Sequence, residues 1–112
     1  MNIVVFFSGT GTNLQSILQN EEKLNYKVIS TFTNNPDASG IDISKNFNVD
    51  CKILDHKKFD SREKFDEEIN VYLQKLNPDY VILAGYMRIL SNFLVEKWKQ
   101  KIINIHPSLL PK

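Results

Sequence analysis

An amide and an imidazole lie two residues apart near the end of the chain, as Asn104 and His106. Alternate residues of a strand point to the same face, so both side chains should face one crevice, whereas Ile103 and Ile105 should face away from it. Pro107 should then end the hydrogen-bond ladder of that strand. An amide donor beside a group that titrates near neutrality suits chemistry of the acyl-transfer type.

A second candidate site is the loop at residues 8–13, which reads Ser-Gly-Thr-Gly-Thr-Asn. Its glycines permit a tight turn into a predicted helix, where free N–H groups and the helix dipole favour an anion such as phosphate. We predict that the anion contacts Gly11, Thr12 or Asn13. The loop has Leu14 in place of the third glycine of a dinucleotide fingerprint, and no Walker lysine follows. A plain β–α turn capped by Thr12 or Asn13 is the alternative interpretation.

A third candidate is the loop at residues 85–90, Gly-Tyr-Met-Arg-Ile-Leu, which follows the most apolar strand. Apolar residues just past a strand could line a pocket for a flat ring system. Alternatively, Met87, Ile89 and Leu90 simply seal the end of the sheet. Arg62 opens a predicted helix, where it could reach an anionic ligand or be a solvated surface charge.

Five apolar runs alternate with helical stretches. The predicted strands are residues 3–7, 26–32, 51–54, 80–84 and 102–105, and the predicted helices are residues 13–20, 41–47, 61–76 and 91–99. Asp60 and Glu63 resemble a capping box at the third helix, and Asn77 with Pro78 should end it. The order predicts an α/β fold with a doubly wound parallel sheet. The loops after strands one, four and five should converge at the edge where such sheets bind ligands.

The amino-acid composition limits the classes of protein to which the chain can belong. The chain has 112 residues, 42% hydrophobic and 24% charged, with a net charge of +1, which fits one globular domain and argues against nucleic acid as a partner. Cys51 is the single cysteine, so no internal disulfide or CxxC metal site is expected. The N-terminus shows no signal peptide or membrane span, which favours a cytoplasmic protein. His56 lies in a polar stretch and is predicted to be on the surface.

Four motifs together resemble one family. They are FFSGTGTNLQSI at residues 6–17, DSRE at residues 60–63, LAGYMRIL at residues 83–90 and NIHPSLLPK at residues 104–112. In this order and spacing they resemble the phosphoribosylglycinamide formyltransferases, also called glycinamide ribonucleotide transformylases. The resemblance extends over all 112 residues and implies the Rossmann-like formyltransferase fold.

The resemblance implies an activity and a role for each candidate residue. The family transfers a formyl group from 10-formyltetrahydrofolate, a co-substrate, to the amine of glycinamide ribonucleotide in purine synthesis, with no metal and no tightly bound cofactor. Asn104 would bond the formyl oxygen of the folate, and His106 would act as the acid that stabilises the oxyanion. The phosphate of the substrate would be held by the backbone of Gly11, Thr12 and Asn13. The pterin would be bound by Arg62, Met87, Arg88, Ile89 and Leu90.

The sequence departs from the family in one respect. Members have a catalytic aspartate and a C-terminal part further along the chain, so residues 1–112 resemble an N-terminal phosphate-binding and catalytic half that is truncated. We therefore expect these residues alone to be inactive. We also expect them to associate with another copy or with a retained C-terminal fragment.

Three alternative functions stay open on the sequence. A formyltetrahydrofolate hydrolase would share the fold but transfer the formyl group to water. A methionyl-tRNA formyltransferase would need a tRNA-binding surface, which the near-neutral charge disfavours. A non-catalytic phosphate-binding domain of flavodoxin-like type would explain the first loop but would give Asn104 and His106 no role.

Overall fold

A parallel five-stranded sheet forms the centre of the computed structural model, which describes residues 1–9 and 12–105. The strands are β1 Asn2–Phe7, β2 Lys27–Thr33, β3 Cys51–Ile53, β4 Tyr80–Leu83 and β5 Ile102–Asn104. Their order across the sheet is β3-β2-β1-β4-β5, and every neighbouring pair is parallel. The prediction of a doubly wound parallel sheet is therefore confirmed.

Helices connect the strands. They are α1 Thr12–Gln19, α2 Glu21–Leu24, α3 Gly40–Asn46, α4 Arg62–Leu76 and α5 Asn92–Lys97, with a 3₁₀ turn at His56–Lys58. The sequence predicted neither α2 nor the 3₁₀ turn, because elements this short show no periodicity. Ser61, rather than Asp60, caps α4, and its Oγ accepts the N–H of Lys64 at 3.1 Å. Asn77, in the left-handed conformation, ends the helix as predicted.

The sheet is apolar on both faces because it is covered on both sides. Alternate residues of β1 point to opposite faces, and residues 3–7 are all buried. One face packs against α1 through the buried residues Ile3, Val5, Phe7, Leu14, Ile17 and Leu18. The other packs against α4 through the buried residues Val4, Phe6, Phe32, Phe65, Ile69 and Leu73. This double cover explains the continuous apolar run at the start of the chain.

The switch point of the topology lies between β1 and β4. The chain runs outward from β1 to β2 and β3, then crosses back to place β4 on the other side of β1. The loops that leave β1 and β4 therefore start side by side at the carboxyl edge of the sheet, where ligands bind in such folds. A direct contact joins them, since the N–H of Met87 donates to Ser8 Oγ at 2.8 Å.

Candidate active site

Ser8 connects three loops at the carboxyl edge of the sheet. This residue follows β1 and is only 7% exposed. Its hydroxyl donates to Oδ1 of Asn34, after β2, at 2.6 Å, and accepts the N–H of Met87, after β4. Asn35 Nδ2 also donates to the Ser8 carbonyl at 3.2 Å. The Ser8 side chain thus connects the loops after β1, β2 and β4 by hydrogen bonds, and the sequence analysis did not single it out.

His56 belongs to the same polar network. Its Nδ1 lies 3.2 Å from both Nδ2 and the carbonyl oxygen of Asn34, so it accepts or donates according to its tautomer. Its ring packs edge-on against Phe65, with the ring centroids 6.5 Å apart. The residue is half-buried, so the prediction of a plain surface histidine was wrong. Its partner lies 22 positions away in sequence, and no local pattern indicates such a contact.

The 85–90 loop presents apolar side chains to solvent. Met87 is 81% exposed and Ile89 is 71% exposed, whereas Leu90 is half-buried and packs against the core. The interpretation that all three residues seal the end of the sheet is therefore wrong for Met87 and Ile89. Gly85, with φ of +76°, supplies the left-handed turn that starts the loop.

Two side-chain polar atoms of this loop are buried and make no hydrogen bond within the described part of the chain, namely Tyr86 Oη and Arg88 Nε. The Arg88 guanidinium lies over the ring of Phe65, 5.3 Å from its centroid. Burial raises the pKa of the Tyr86 phenol, the nearby charge of Asp66 raises it further, and Arg88 opposes both. Tyr86 is therefore a neutral hydroxyl at physiological pH.

Asp66 holds the far end of the 85–90 loop. This carboxyl group is buried on α4, and its Oδ2 accepts the N–H of Ser91 at 2.6 Å. Ser91 in turn caps α5, since its Oγ accepts the N–H of Leu94 at 3.3 Å. The loop is thus bonded to a buried polar group near each end. Sequence reasoning missed Asp66 because a carboxylate inside an apolar stripe gives no indication of a distant partner.

The predicted site residues lie on elements that meet at this edge. Thr12 and Asn13 begin α1, and Asn104 is the last residue of β5, opposite Leu83 of β4, with its side chain exposed. Arg62 begins α4 and is exposed, one turn before the Phe65 ring that Arg88 covers. Gly11 and His106 lie outside the described residues.

Residues 1–9 and 12–105 lack two other functional features. No group of three or more His, Cys, Asp and Glu residues is placed there to hold a metal ion. None of the helices in those ranges is long and apolar enough to cross a membrane. Cys51 starts β3, and burial raises the pKa of its thiol, against the weaker effect of hydrogen bonds from Thr31 and Ser44. A reactive thiolate is therefore disfavoured there.

The sequence of the whole chain matches one family. The sequence model for the family described as formyl transferase covers residues 1–112. The chain belongs to the formyl transferase family. This formyl transferase chain is 42% identical to phosphoribosylglycinamide formyltransferase of Escherichia coli K12, over 100% of its own length and 54% of that protein. It is 37% identical to the human trifunctional purine biosynthetic protein adenosine-3, over 97% of its length and 11% of that protein.

Solved structures agree with the sequence comparison. Phosphoribosylglycinamide formyltransferase from Coxiella burnetii superposes on this formyl transferase chain with a TM-score of 0.91 and 36% identity. The match covers 100% of this chain and 54% of that one. The family and the fold indicated by the sequence motifs are therefore confirmed. The formyl transferase chain spans about half the length of its bacterial relatives.

Proposed function

We propose that the protein transfers a formyl group from 10-formyltetrahydrofolate to the amine of glycinamide ribonucleotide, as a step of purine synthesis. The proposal rests chiefly on Asn104, an exposed amide that ends β5 in register with β4. The loops after β1 and β4 start at the same edge of the sheet. Similarity to phosphoribosylglycinamide formyltransferases along the full length of the chain supports this choice of substrates.

The proposed reaction is an acyl transfer through a tetrahedral intermediate. The amine nitrogen of the ribonucleotide attacks the formyl carbon, and the formyl oxygen becomes an oxyanion. The Asn104 amide donates a hydrogen bond to that oxygen, and the protonated His106 imidazole stabilises its charge. Collapse breaks the bond between the formyl carbon and N10 of the folate, and the proton lost by the amine ends on N10. Both side chains act where charge develops, which lowers the barrier rather than only binding substrate.

The folate is proposed to bind along the 85–90 loop. Met87 and Ile89 offer exposed apolar surface for a flat pterin, next to the half-buried Arg88 and Leu90. The buried Arg88 Nε is a donor whose hydrogen bond is not made within the described residues, so it could bond a polar atom of the ring. Arg62, exposed at the start of α4, supplies a positive charge for an anionic part of the ligand.

The phosphate of the ribonucleotide is proposed to bind at the start of α1. Backbone N–H groups of Gly11, Thr12 and Asn13 would donate to it, aided by the positive end of the helix dipole. Asn13 is half-buried on the first turn, and Leu14 behind it is fully buried, which fixes this end of the helix to the sheet.

Placing a carboxylate on this turn should weaken phosphate binding. We expect Asn13→Asp to raise the dissociation constant for glycinamide ribonucleotide by about tenfold through like-charge repulsion. Gln15→Glu makes the same charge change on an exposed position two residues on and is the matched control. Isothermal titration calorimetry on the natural protein, meaning the protein as it occurs in the cell, measures both dissociation constants. Equal affinities for the wild type and Asn13→Asp would place the phosphate elsewhere.

Two other reactions differ from the proposed one in the molecule that accepts the formyl group. A formyltetrahydrofolate hydrolase would consume the folate without an amine, and a methionyl-tRNA formyltransferase would require the charged tRNA. Under the proposal, folate consumption requires glycinamide ribonucleotide. A spectrophotometric assay of folate turnover with and without that amine tests the proposal. Turnover that does not depend on the amine would contradict it.

An apolar cleft indicates a further polypeptide partner. It measures about 230 Å³ and is lined by residues that include Ile3, Ile17, Tyr26, Ile82, Ile103 and Ile105. It lies beside β5, an edge strand of the sheet that the described residues form. Uncovered apolar surface beside an open strand edge favours association. We propose that polypeptide equivalent to the second half of the bacterial relatives covers it, and that isolated 112-residue chains pair through it and lack turnover.

A charge in the cleft should abolish this association. Ile103 is 41% exposed on β5, and Val71 is 45% exposed on α4. We expect the isolated 112-residue chain to elute as a dimer or larger species in size-exclusion chromatography, and Ile103→Lys to elute as a monomer. Val71→Lys, with the same change at a similarly exposed position, should elute like the wild type. A monomeric wild-type chain would refute the proposed role of the cleft.

The cellular setting is part of the same proposal. Purine synthesis from a soluble nucleotide and a reduced folate fits a cytoplasmic enzyme that uses no metal ion and no tightly bound cofactor. Nucleic acid is not proposed as a partner, because the net charge of the chain is only +1.

A further inference from the structure

We propose that Ser8 is a positioning residue for formyl transfer, because its hydroxyl fixes the 85–90 loop, the proposed folate site, to the end of β1. The inference rests on the proposed function for its kinetic consequence, but its structural part stands on the geometry of the described residues. Ser8 does not need to touch either substrate. It would act through the backbone of Met87.

The hydroxyl of Ser8 acts both as a hydrogen-bond donor and as an acceptor. It donates to Asn34 Oδ1 at 2.6 Å and accepts the Met87 N–H at 2.8 Å. Ser8 and Asn34 are only 7% and 5% exposed, so the bond between them is shielded from water, whereas the bond from the Met87 N–H is part-buried. A partly buried N–H that loses its acceptor raises the free energy of the folded protein, which favours the bonded position of the loop.

Ser8 and Met87 are separated by 79 positions in the sequence. β1 and β4 are paired up to Phe6 and Leu83, and the Ser8–Met87 hydrogen bond extends this connection past the strand ends into the two loops. Gly85, with φ of +76°, turns the chain immediately before this bond, and the Met87 side chain beyond it is 81% exposed. The backbone is thus anchored while the side chain stays available for a ligand.

Asn34 orients the Ser8 hydroxyl. Because the Ser8 O–H donates its hydrogen bond to Asn34 Oδ1, the oxygen lone pairs of Ser8 are left to accept the Met87 N–H. The other end of the Asn34 amide lies 3.2 Å from His56 Nδ1, so the amide is itself bonded at both ends. This chain of bonds makes the loop pre-organised rather than ordered by the ligand, which reduces the entropic cost of binding.

Hydrogen exchange on the natural protein tests the anchor without any substrate. We expect the Met87 amide to exchange at least tenfold faster in Ser8→Ala than in the wild type, because its acceptor is removed. Ser44→Ala is the matched control, since Ser44 is fully buried and its Oγ bonds Thr31 Oγ1 at 2.7 Å and the Gly40 carbonyl at 3.0 Å, away from the loop. The Met87 amide should stay protected in Ser44→Ala.

Steady-state kinetics test the functional consequence. In Ser8→Ala we expect the KM for 10-formyltetrahydrofolate to rise about tenfold, as for one lost hydrogen bond, while kcat at saturating folate falls less than threefold. Ser44→Ala should leave the KM for the folate unchanged. If Ser8→Ala fails to fold, Ser8→Cys, which has nearly the same shape but a weak acceptor, should give the same two changes.

The outcomes separate this inference from the proposed function. A Met87 amide that stays protected in Ser8→Ala would overturn the anchor. Lost protection with an unchanged KM for the folate would overturn the positioning role. Faster exchange in a natural protein that shows no formyl transfer would leave Ser8 as the anchor of the loop and refute the proposed function instead.

Discussion

Replacing Asn104 or His106 by alanine is expected to lower kcat for formyl transfer by on the order of 10²–10³, the usual cost of removing one group that stabilises an oxyanion. Asn104 lies exposed at the end of β5, and His106 follows two residues later, outside the described residues. Steady-state assays on the natural protein measure the effect. Affinity for glycinamide ribonucleotide should change little, because neither variant alters the start of α1, where its phosphate is proposed to bind.

A matched control distinguishes chemistry from a general loss of structure. Gln100 is an exposed amide just before the opposite end of β5, so Gln100→Ala should leave kcat within about twofold of the wild type. Near wild-type turnover in Asn104→Ala or His106→Ala would show that the proposed role of that residue is wrong.

Gly40→Ala is expected to destabilise the protein by about 1–3 kcal/mol, a typical cost of overpacking a core. A Cβ on Gly40 would lie 2.6 Å from Phe7 Cδ2 and closer still to Phe7 Cε2. Phe7 is fully buried at the end of β1, so its ring cannot move aside into solvent. Urea denaturation of the natural protein measures the change in free energy of unfolding.

Two further variants test the origin of this loss. Gly9→Ala should change stability by less than about 0.5 kcal/mol, because a Cβ there would meet no atom of the described residues within 4 Å. Phe7→Leu should recover part of the loss when combined with Gly40→Ala, since the smaller side chain makes room for the methyl group. A fully additive double variant would contradict steric conflict between these two residues.

The sheet could be predicted from the sequence because its strands are distinctive. All of the apolar runs except residues 51–54 are followed within two residues by glycine, asparagine or proline. Their short length and their β-branched or aromatic residues favour buried strands over buried helices. The predicted bounds of β1 and β2 differ from the observed strands by one residue at each shifted end. The cap of α4 was misassigned to Asp60, since Ser61 next to it is an equally good capping residue by type.

The candidate site was predictable only where residue types indicate chemistry. Asn104 could be placed at the end of β5 by alternation, and the 85–90 loop drew attention as apolar residues outside a strand. Ser8, Asp66 and His56 were missed because their roles depend on partners 79, 25 and 22 positions away. No sequence pattern around a single polar residue indicates a partner so far away, because such contacts form only when the sheet assembles.

The fate of the formyl carbon tests the central claim most directly. The natural protein is incubated with 10-formyltetrahydrofolate that carries ¹³C in the formyl group, together with glycinamide ribonucleotide, and the label is followed by NMR. The proposed transfer predicts that the ¹³C signal moves into the formamide of the formylated ribonucleotide. Label recovered as free formate, or left on the folate, would contradict it.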